Sequence, residues 1–296
     1  MVAKRTWLVG AVVAISMLAA TPAAQGTVPG KDGVIVYSSA GGDLFSMNAN
    51  GTGKVRLMRT AAQETEPAFA PCGCKLAFTS YTNGNYDIWV MNTDGTGRFK
   101  LIGWASQDDE PAWSPDGTKI AFSSWHDGNA EIYVVQATKV HPAPVKLTHT
   151  ATSLNLQPDW SPGGTRIAWS FSGQIYTMNA TTGLGKKPAG FSFPCYQQWP
   201  SWSPDGTKIA YSGGSGCGAN DYDQIWVAPV GGSSAPVAIT PNNQYYEQPQ
   251  WAPSGASIVY SSDSGIQSRR PDGTGLLKLT FRYGDSRPTW QPLPLS

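Results

Sequence analysis

A repeat of 39 to 49 residues runs through the chain and restricts its fold more than any other feature. In each copy a proline is followed, two positions later, by an aromatic residue. These prolines are Pro67, Pro111, Pro158, Pro200, Pro249 and Pro288. A second aromatic residue stands eleven positions after each of the first five prolines. A register kept over so many copies indicates one structural unit repeated along the chain.

The residues inside each copy predict four short β-strands. The segment Ser114-Pro115-Asp116-Gly117-Thr118 is typical of a turn, because proline presets one turn position and glycine tolerates positive φ. The turn stands between a short Pro-x-Trp strand and an alternating strand that begins at Lys119. A third strand follows at 131–136, and a fourth ends near 147–148. Four strands in about 40 to 45 residues is the period of a β-propeller blade.

The two ends of the repeat region predict how the ring closes. Residues 34–58 supply strands two to four of a blade that has no first strand, whereas 286–292 supply a first strand with nothing after it. Pairing them gives an all-β, six-bladed β-propeller with Velcro closure of the N- and C-terminal strands. Because such a ring has no long unpaired edge, we expect a monomer.

The charge balance argues against two classes of partner. The chain carries 21 Lys and Arg against 20 Asp and Glu, and charged residues make up only 14%. No strong field therefore recruits nucleic acid or an anionic membrane surface. The 33 Gly, 23 Pro and 12 Trp fit a turn-rich protein of packed sheets instead.

The first 26 residues predict a secretory signal peptide. Lys4 and Arg5 precede a thirteen-residue apolar run from Leu8 to Ala20, and small residues follow up to Gly26. The run is shorter than the ~20 residues that span a bilayer, so a cleaved leader is preferred to a membrane anchor. We therefore expect export, to the periplasm or out of the cell, no membrane span, and a single propeller domain over 27–296.

Export would place the four cysteines in an oxidising compartment, where an even number favours structural disulfides. Four cysteines allow three pairings. Cys195 and Cys217 flank one repeat unit and are the preferred pair, whereas a bridge between Cys72 and Cys74 would close a small ring. No His or second Cys pair stands near Cys72 at the spacing of metal ligands, so we predict no metal site.

The repeat resembles the TolB-like propellers, which are built from WD-type repeats with a Pro-Asp pair. The segment Trp113 to Phe122, with the later 132–134, carries the likeness, and Trp202 to Tyr211 repeats it. The likeness covers residues 33–293 and implies a propeller that acts as an interaction platform at the cell envelope. TolB proper carries an N-terminal α/β domain, which we expect this chain to lack.

No motif in the sequence points to catalysis. The G-x-S-x-G elbow of α/β-hydrolases is absent from the sequence. The histidines His126, His141 and His149 match neither a zinc-protease helix nor a facial metal triad. We therefore assign no catalytic residue and no cofactor.

The four residues before each repeat proline form the predicted functional surface. We expect them to be loops that enter the innermost strands at the mouth of the central channel. Carboxylate, amide and aromatic side chains around one cavity suit a peptide or a sugar. The alternative is that they are solvated loop caps common to the repeat. The candidate partner-binding residues are Glu66, Asp109, Glu110, Gln157, Trp199, Glu247, Gln248 and Arg287.

The tryptophans divide into two groups. Trp113 and the tryptophans that share its register are expected to be wedges between blades. Trp125 and Trp199 stand outside that register and are better candidates for exposed contact.

Two functions from different classes remain open. The first is a non-enzymatic interaction module that binds a protein or peptide partner through the channel-mouth face. The second is a carbohydrate-binding or carbohydrate-active propeller (a lectin, lyase or glycosidase) that uses channel-mouth carboxylates such as Glu66, Glu110 or Glu247.

Overall fold

The structure, a computed structural model, describes residues 29–138, 143–190, 195–214, 222–232 and 234–294. These residues form six antiparallel sheets of four strands, as expected for a six-bladed propeller. Within the described ranges no helix is long and apolar enough to cross a membrane. The predicted signal peptide, 1–26, lies outside the described residues.

Blade 1 joins the two ends of the chain. In order from the channel outward its strands are β24 (Ser286–Leu293), β1 (Lys31–Ser38), β2 (Leu44–Met47) and β3 (Val55–Arg56).

The other five blades each use four consecutive strands, again from the channel outward. Blade 2 contains β4 (Gln63–Phe69), β5 (Lys75–Thr82), β6 (Asn85–Asn92) and β7 (Phe99–Ile102). Blade 3 contains β8 (Asp108–Trp113), β9 (Lys119–Ser124), β10 (Glu131–Gln136) and β11 (Val145–Lys146). Blade 4 contains β12 (Asn155–Trp160), β13 (Arg166–Phe171), β14 (Gln174–Asn179) and β15 (Lys187–Pro188). Blade 5 contains β16 (Cys195–Trp202), β17 (Lys208–Gly214), β18 (Asp223–Pro229) and β19 (Val237–Ala238). Blade 6 contains β20 (Tyr246–Trp251), β21 (Ile258–Ser262), β22 (Gly265–Arg269) and β23 (Leu277–Lys278).

The Velcro closure predicted from the chain ends is confirmed. β24 pairs antiparallel with β1, with Ile35 opposite Trp290 and Val36 opposite Thr289. The strands approach closely at Gly33, where a Cβ atom would lie 2.8 Å from the backbone oxygen of Gln291. The glycine is therefore required by the closure itself.

The repeated turn explains why the Asp-Gly pair recurs. Asp116 Oδ1 accepts hydrogen bonds from Ser114 Oγ at 2.6 Å and from Thr118 N at 2.9 Å. Gly117 follows with φ of 69°, a conformation that costs glycine little. The turn is thus held by its own side chains and joins the first strand of a blade to the second.

The aromatic residue after each proline lies between blades, as the register predicts. Trp113 of blade 3 packs with Ile88 and Val90 of blade 2, and Trp290 of blade 1 packs with Val259 of blade 6. The second set of aromatic residues is completely buried within the blades: Phe78, Phe122, Trp169, Tyr211 and Tyr260. Large rings at fixed positions therefore set how each blade rests on the one before it.

The cysteines fall at two places in the fold. Cys72 and Cys74 are paired in the turn between β4 and β5, with their Cα atoms 5.1 Å apart. Cys195 begins β16, but its preferred partner Cys217 lies outside the described residues.

Removal of β24 tests the closure. A chain that ends at Asp285 leaves β1 without its inner partner and loses the buried Trp290. Loss of one large core ring alone costs about 3–5 kcal/mol, so cooperative thermal unfolding should be abolished or its midpoint strongly lowered. The control ends at Leu293 and keeps the whole strand. Circular dichroism that shows the same transition for both chains would contradict the closure.

Candidate channel-mouth site

The predicted mouth residues belong to strands rather than to loops, which corrects the sequence-based expectation. Glu64 pairs with Ser80 and Asp109 with Ser123, so the backbone ladder already exists before the proline is reached. The register then shifts across the residue that precedes the proline, as in a β-bulge. Proline has no N–H to donate, so a bulge at this point disturbs the ladder little.

The residue before each proline adopts a left-handed backbone. Its φ lies between 54° and 59° in all six blades, at Glu66, Glu110, Gln157, Trp199, Gln248 and Arg287. None is a glycine, and for other residues this conformation costs about 1–2 kcal/mol. Such strain persists only where the surroundings impose it, and it is concentrated at functional sites. These six positions line one central channel with a volume of about 150 Å³.

Side chains of the mouth hydrogen-bond from one blade to the next. Glu66 Oε2 accepts from Glu110 N, and Glu110 Oε2 accepts from Gln157 N, both at 2.7 Å. Gln157 Oε1 accepts from Trp199 N at 3.1 Å, and Gln248 Oε1 from Arg287 N at 3.0 Å. Each link satisfies the backbone N–H of the next left-handed residue. We call this set the mouth ring.

Two members of the mouth ring have no acceptor atom in their side chains. Arg287 forms an ion pair with Glu66, which joins blade 1 to blade 2 by charge instead. Its guanidinium carbon also lies 5.1 Å from the ring centroid of Trp199. Trp199 and Trp125, expected to be exposed, are both half-buried. Burial lowers the pKa of Arg287 to about 10, so it remains a cation at neutral pH.

Three consecutive acids of β8, Asp108, Asp109 and Glu110, have raised pKa values. Burial raises the pKa of Asp108 to about 6 and that of Glu110 to about 7. Burial, followed by the nearby charge of Glu110, raises the pKa of Asp109 well above its ordinary value. Asp108 Oδ1 accepts from Ser124 Oγ at 2.6 Å, while Asp109 Oδ2 accepts from Gln107 Nε2 at 2.6 Å. Burial therefore disfavours the charged form of all three acids of this strand.

Two of the eight predicted residues stand apart from the mouth ring. Asp109 lines a second cavity of about 400 Å³ beside the mouth. Glu247 lines neither this cavity nor the channel. Burial, with the charges of Asp223 and Asp263, raises the pKa of Glu247.

Sequence reasoning did not identify one residue of the channel, Asp159. Asp159 stands between the repeat proline and the aromatic wedge, where other blades have residues such as Ala112 or Ser201. Its Oδ2 accepts from Trp202 N at 2.7 Å, and burial raises its pKa to about 7. A carboxylate at a register position that is otherwise small or neutral was the signal that could have identified it.

The mouth face also carries exposed aromatic residues. Tyr196 and Tyr245 belong to the predicted segments before Pro200 and Pro249, whereas Phe281 and Tyr283 were missed. The exposed fraction is 78% for Phe281 and for Tyr283, and 71% for Tyr196. Tyr222 and Tyr245 are half-exposed neighbours whose ring centroids lie 5.1 Å apart. We call these five residues the aromatic rim. All five stand next to the repeat unit rather than in it, in segments that lead into inner strands or join second to third strands.

The blade sequences match a known family. The TolB beta propeller domain matches the chain over two overlapping segments, 64–169 and 110–294. The chain belongs to the TolB β-propeller family. No curated protein sequence matches it.

Solved structures show how widely this propeller fold is shared. TolB from Acinetobacter baumannii superposes with a TM-score of 0.73 at 19% identity, over 88% of this chain and 67% of that one. The putative TolB from Agrobacterium tumefaciens gives a TM-score of 0.67 at 21% identity, over 86% and 91%. A chain of a nidogen/laminin complex gives 0.71 at only 9% identity, over 88% and 99%. The TolB propeller is therefore a fold that tolerates extensive change in sequence.

Substitution of Glu110 tests the mouth ring. Glu110→Ala removes the 2.7 Å acceptor of Gln157 N, which keeps only Ser123 Oγ at 3.1 Å. It also removes the acceptor of Ser123 Oγ, and Ser123 is completely buried. An unsatisfied buried donor costs about 1–3 kcal/mol, so the free energy of unfolding should fall by that amount. Glu110→Gln keeps an oxygen acceptor, so its free energy of unfolding should fall by less than about 1 kcal/mol. Equal urea denaturation midpoints for the two variants would contradict the ring.

The pH dependence of folding stability provides a second test of Glu110. The pKa of Glu110 is about 7 in the folded chain, against an ordinary value of 4.5. The folded state therefore holds the proton more tightly, and stability should be lost as the pH rises from about 4.5 through 7. The stability of the wild type relative to Glu110→Gln should decline over this range. A difference that is constant, or that rises with pH, would show that folding does not raise the pKa of Glu110.

Proposed function

We propose that this TolB propeller is a non-enzymatic binding module that takes a peptide segment of a protein partner on its channel-mouth face. The aromatic rim is the observation that carries the proposal. It leaves Phe281, Tyr283 and Tyr196 more than two-thirds exposed on a molecule whose other aromatic rings are mostly buried. Exposed aromatic residues concentrated at one end of a propeller are candidate anchors for a partner, and tyrosines are frequent anchors at interfaces.

The rim and the mouth ring lie at the same end of the blades. Loops that lead into inner strands and loops between second and third strands lie at one end of an antiparallel four-stranded blade. The contact between Tyr222 and Tyr245 joins these two kinds of loop across blades 5 and 6. A partner segment on this face would therefore meet aromatic rings on one side of the channel and acids on the other.

The state of the mouth carboxylates favours binding over catalysis. Glu66 Oε2 already accepts from Thr79 Oγ1 at 2.7 Å and from the next blade, and Glu110 Oε2 is held in the same way by Ser123 Oγ. These oxygens are tied to the scaffold. A rigid scaffold of this kind lowers the entropy cost of binding. The nidogen/laminin complex, with which the fold is shared, is an example of a propeller in a protein complex.

Carbohydrate binding is the second candidate function. Tyr222 and Tyr245 stand beside an amide-rich stretch, where Tyr246 Oη donates to Asn243 Oδ1 at 2.9 Å. Aromatic faces next to amide side chains suit the alternating apolar and hydroxyl faces of a sugar. This observation favours a lectin-like site at blades 5 and 6 in particular.

Export belongs to the same proposal. Removal of 1–26 and an oxidising compartment would account for disulfides at Cys72–Cys74 and at Cys195–Cys217. Mass spectrometry of the cell-envelope protein before and after reduction tests both points. An uncleaved Met1, or four thiols that react without reduction, would contradict export.

Selection from a displayed peptide library tests the binding function. Peptides captured by the mature protein should bind at least about tenfold more weakly to Tyr196→Ala and to Phe281→Ser, because an interface anchor is worth 2 kcal/mol or more. The matched control is Leu184→Ser, which removes a 70% exposed leucine from the opposite face.

The outcomes separate the two candidates. Peptides that bind all four proteins equally would refute the mouth face as the binding surface. A protein that selects no peptide but binds an immobilised glycan, with loss of binding in Tyr245→Ala, would establish the carbohydrate function instead.

A further inference from the structure

We propose that the cavity beside the channel mouth is a binding site for a basic side chain, an arginine or lysine of the peptide ligand. This inference rests on the proposed peptide function and specifies part of its recognition chemistry. We call the cavity the acidic pocket. Its lining comes from blades 1, 2 and 3 and includes Gln63, Glu64, Glu66, Tyr86, Gln107 and Asp109.

The pocket has the size and rigidity of a preformed site. Its volume of about 400 Å³ falls within the range of small-ligand pockets and can admit a long side chain. One wall is the loop 39–42, in which Gly42 N donates to Ser39 O at 2.9 Å. Gly42 O in turn accepts from Glu64 N at 2.7 Å, which fastens the loop to β4. Gly42 has φ of 78°, and a Cβ there would lie 2.9 Å from Gln63 Cγ. Glycine therefore allows this loop to lie close against β4.

The charges around the pocket do not balance. Glu66 is paired with Arg287, and Glu64 has Arg98 Nη1 at 3.9 Å from its Oε1. Among the described residues no cation pairs with Asp109, although only 7% of it is exposed. In the part of the chain that the structure describes, Asp109 Oδ1 has no hydrogen-bond partner.

A buried carboxylate oxygen without a hydrogen-bond partner is costly, and the pKa of Asp109 reflects that cost. Burial and the nearby charge of Glu110 raise the pKa of Asp109. An ammonium or guanidinium group bound beside it would offset the desolvation of the carboxylate and supply the missing donor. With Arg98 counted beside Glu64, three acids face two arginines, and the excess of acid has the sign required to attract such a group.

The remaining lining groups suit an organic cation. Tyr86 is half-buried and lines the pocket together with the acids, and its ring centroid lies 4.7 Å from that of Tyr81. Cations are attracted to aromatic faces, and Gln63 and Gln107 offer amide oxygens as further acceptors. Within the described ranges no three acidic, His or Cys side chains are close enough to hold a metal ion. Calcium needs six to eight oxygen ligands, so the chemistry favours a basic side chain.

Titration with a minimal ligand tests the pocket directly. The probe is N-acetyl-arginine amide, added to the mature protein and followed by isothermal calorimetry and by NMR. We expect saturable binding that falls about tenfold or more in Asp109→Asn, because a hydrogen bond to a charged group is worth about 1.5–3 kcal/mol. N-acetyl-citrulline amide has the same shape without the charge and should not bind.

The matched control is Asp272→Asn, which removes an equal charge from an exposed turn of blade 6 while keeping the oxygen that Thr274 N donates to. It should bind the arginine probe as the wild type does. Should Asp109→Asn fail to fold, Tyr86→Leu provides a second variant, expected to bind the probe several-fold more weakly. Binding of citrulline equal to that of arginine, unchanged binding in Asp109→Asn, or Ca²⁺ bound at Asp109 in preference to arginine would overturn the proposal.

The two functional proposals can fail separately. Phe281 and Tyr196 do not line the acidic pocket, so substitution of the rim should leave the arginine titration unchanged. Peptides that depend on the rim but show no preference for a basic residue would refute the acidic pocket alone. Arginine bound at Asp109, with no peptide selected by the whole protein, would refute the peptide function and leave the pocket as a site for free cations.

Discussion

The contacts of the mouth ring are the interaction on which the rest of this propeller depends. Six non-glycine residues hold a left-handed backbone, each immediately before a proline, and side chains of four of them satisfy the backbone N–H of the next blade. The strained backbone and the hydrogen bonds between blades occur at the same residues. The bulge turns the side chain into the channel, and the hydrogen bond offsets the cost of the bulge.

Much of the fold could be predicted from the repeat, because its positions are set by local chemistry. Turn residues such as Asp116 and Gly117, and wedges such as Trp113, recur at fixed spacing. The missing first strand of blade 1 identified the closure. The bulge could not be predicted in the same way, because a left-handed Glu or Gln has no sequence signature and exists only through contacts between blades.

The site was predicted in part for the same reason. The sequence placed eight residues together at the mouth, and six of them line the channel. It did not separate Asp109 from the channel residues. Adjacent side chains of a strand face opposite sides of the sheet, and a bulge interrupts this alternation in a way that the sequence does not show. Within the aromatic rim, Phe281 and Tyr283 were missed because they stand outside the repeat, where a single sequence offers no register to compare. Function in this molecule is therefore associated with positions that depart from the blade pattern.

The mouth face combines two chemistries on one rigid frame. Blades 2 and 3 contribute acids, among them Asp109 with its unpartnered Oδ1. Blades 5 and 6 and the segment that leads into β24 contribute exposed rings. The ion pair between Arg287 and Glu66 lies where these two halves meet. A ligand with a basic group and an apolar part would match both halves at once.

Amide hydrogen exchange measured by NMR tests the central claim most directly. In the variant Glu66→Ala the ring account predicts faster exchange at Glu110 N, which loses its acceptor, and unchanged exchange at Gln157 N, whose acceptor is Glu110. Unchanged exchange at Glu110 N, or equal acceleration around the whole channel, would show that the blades are not linked in this way.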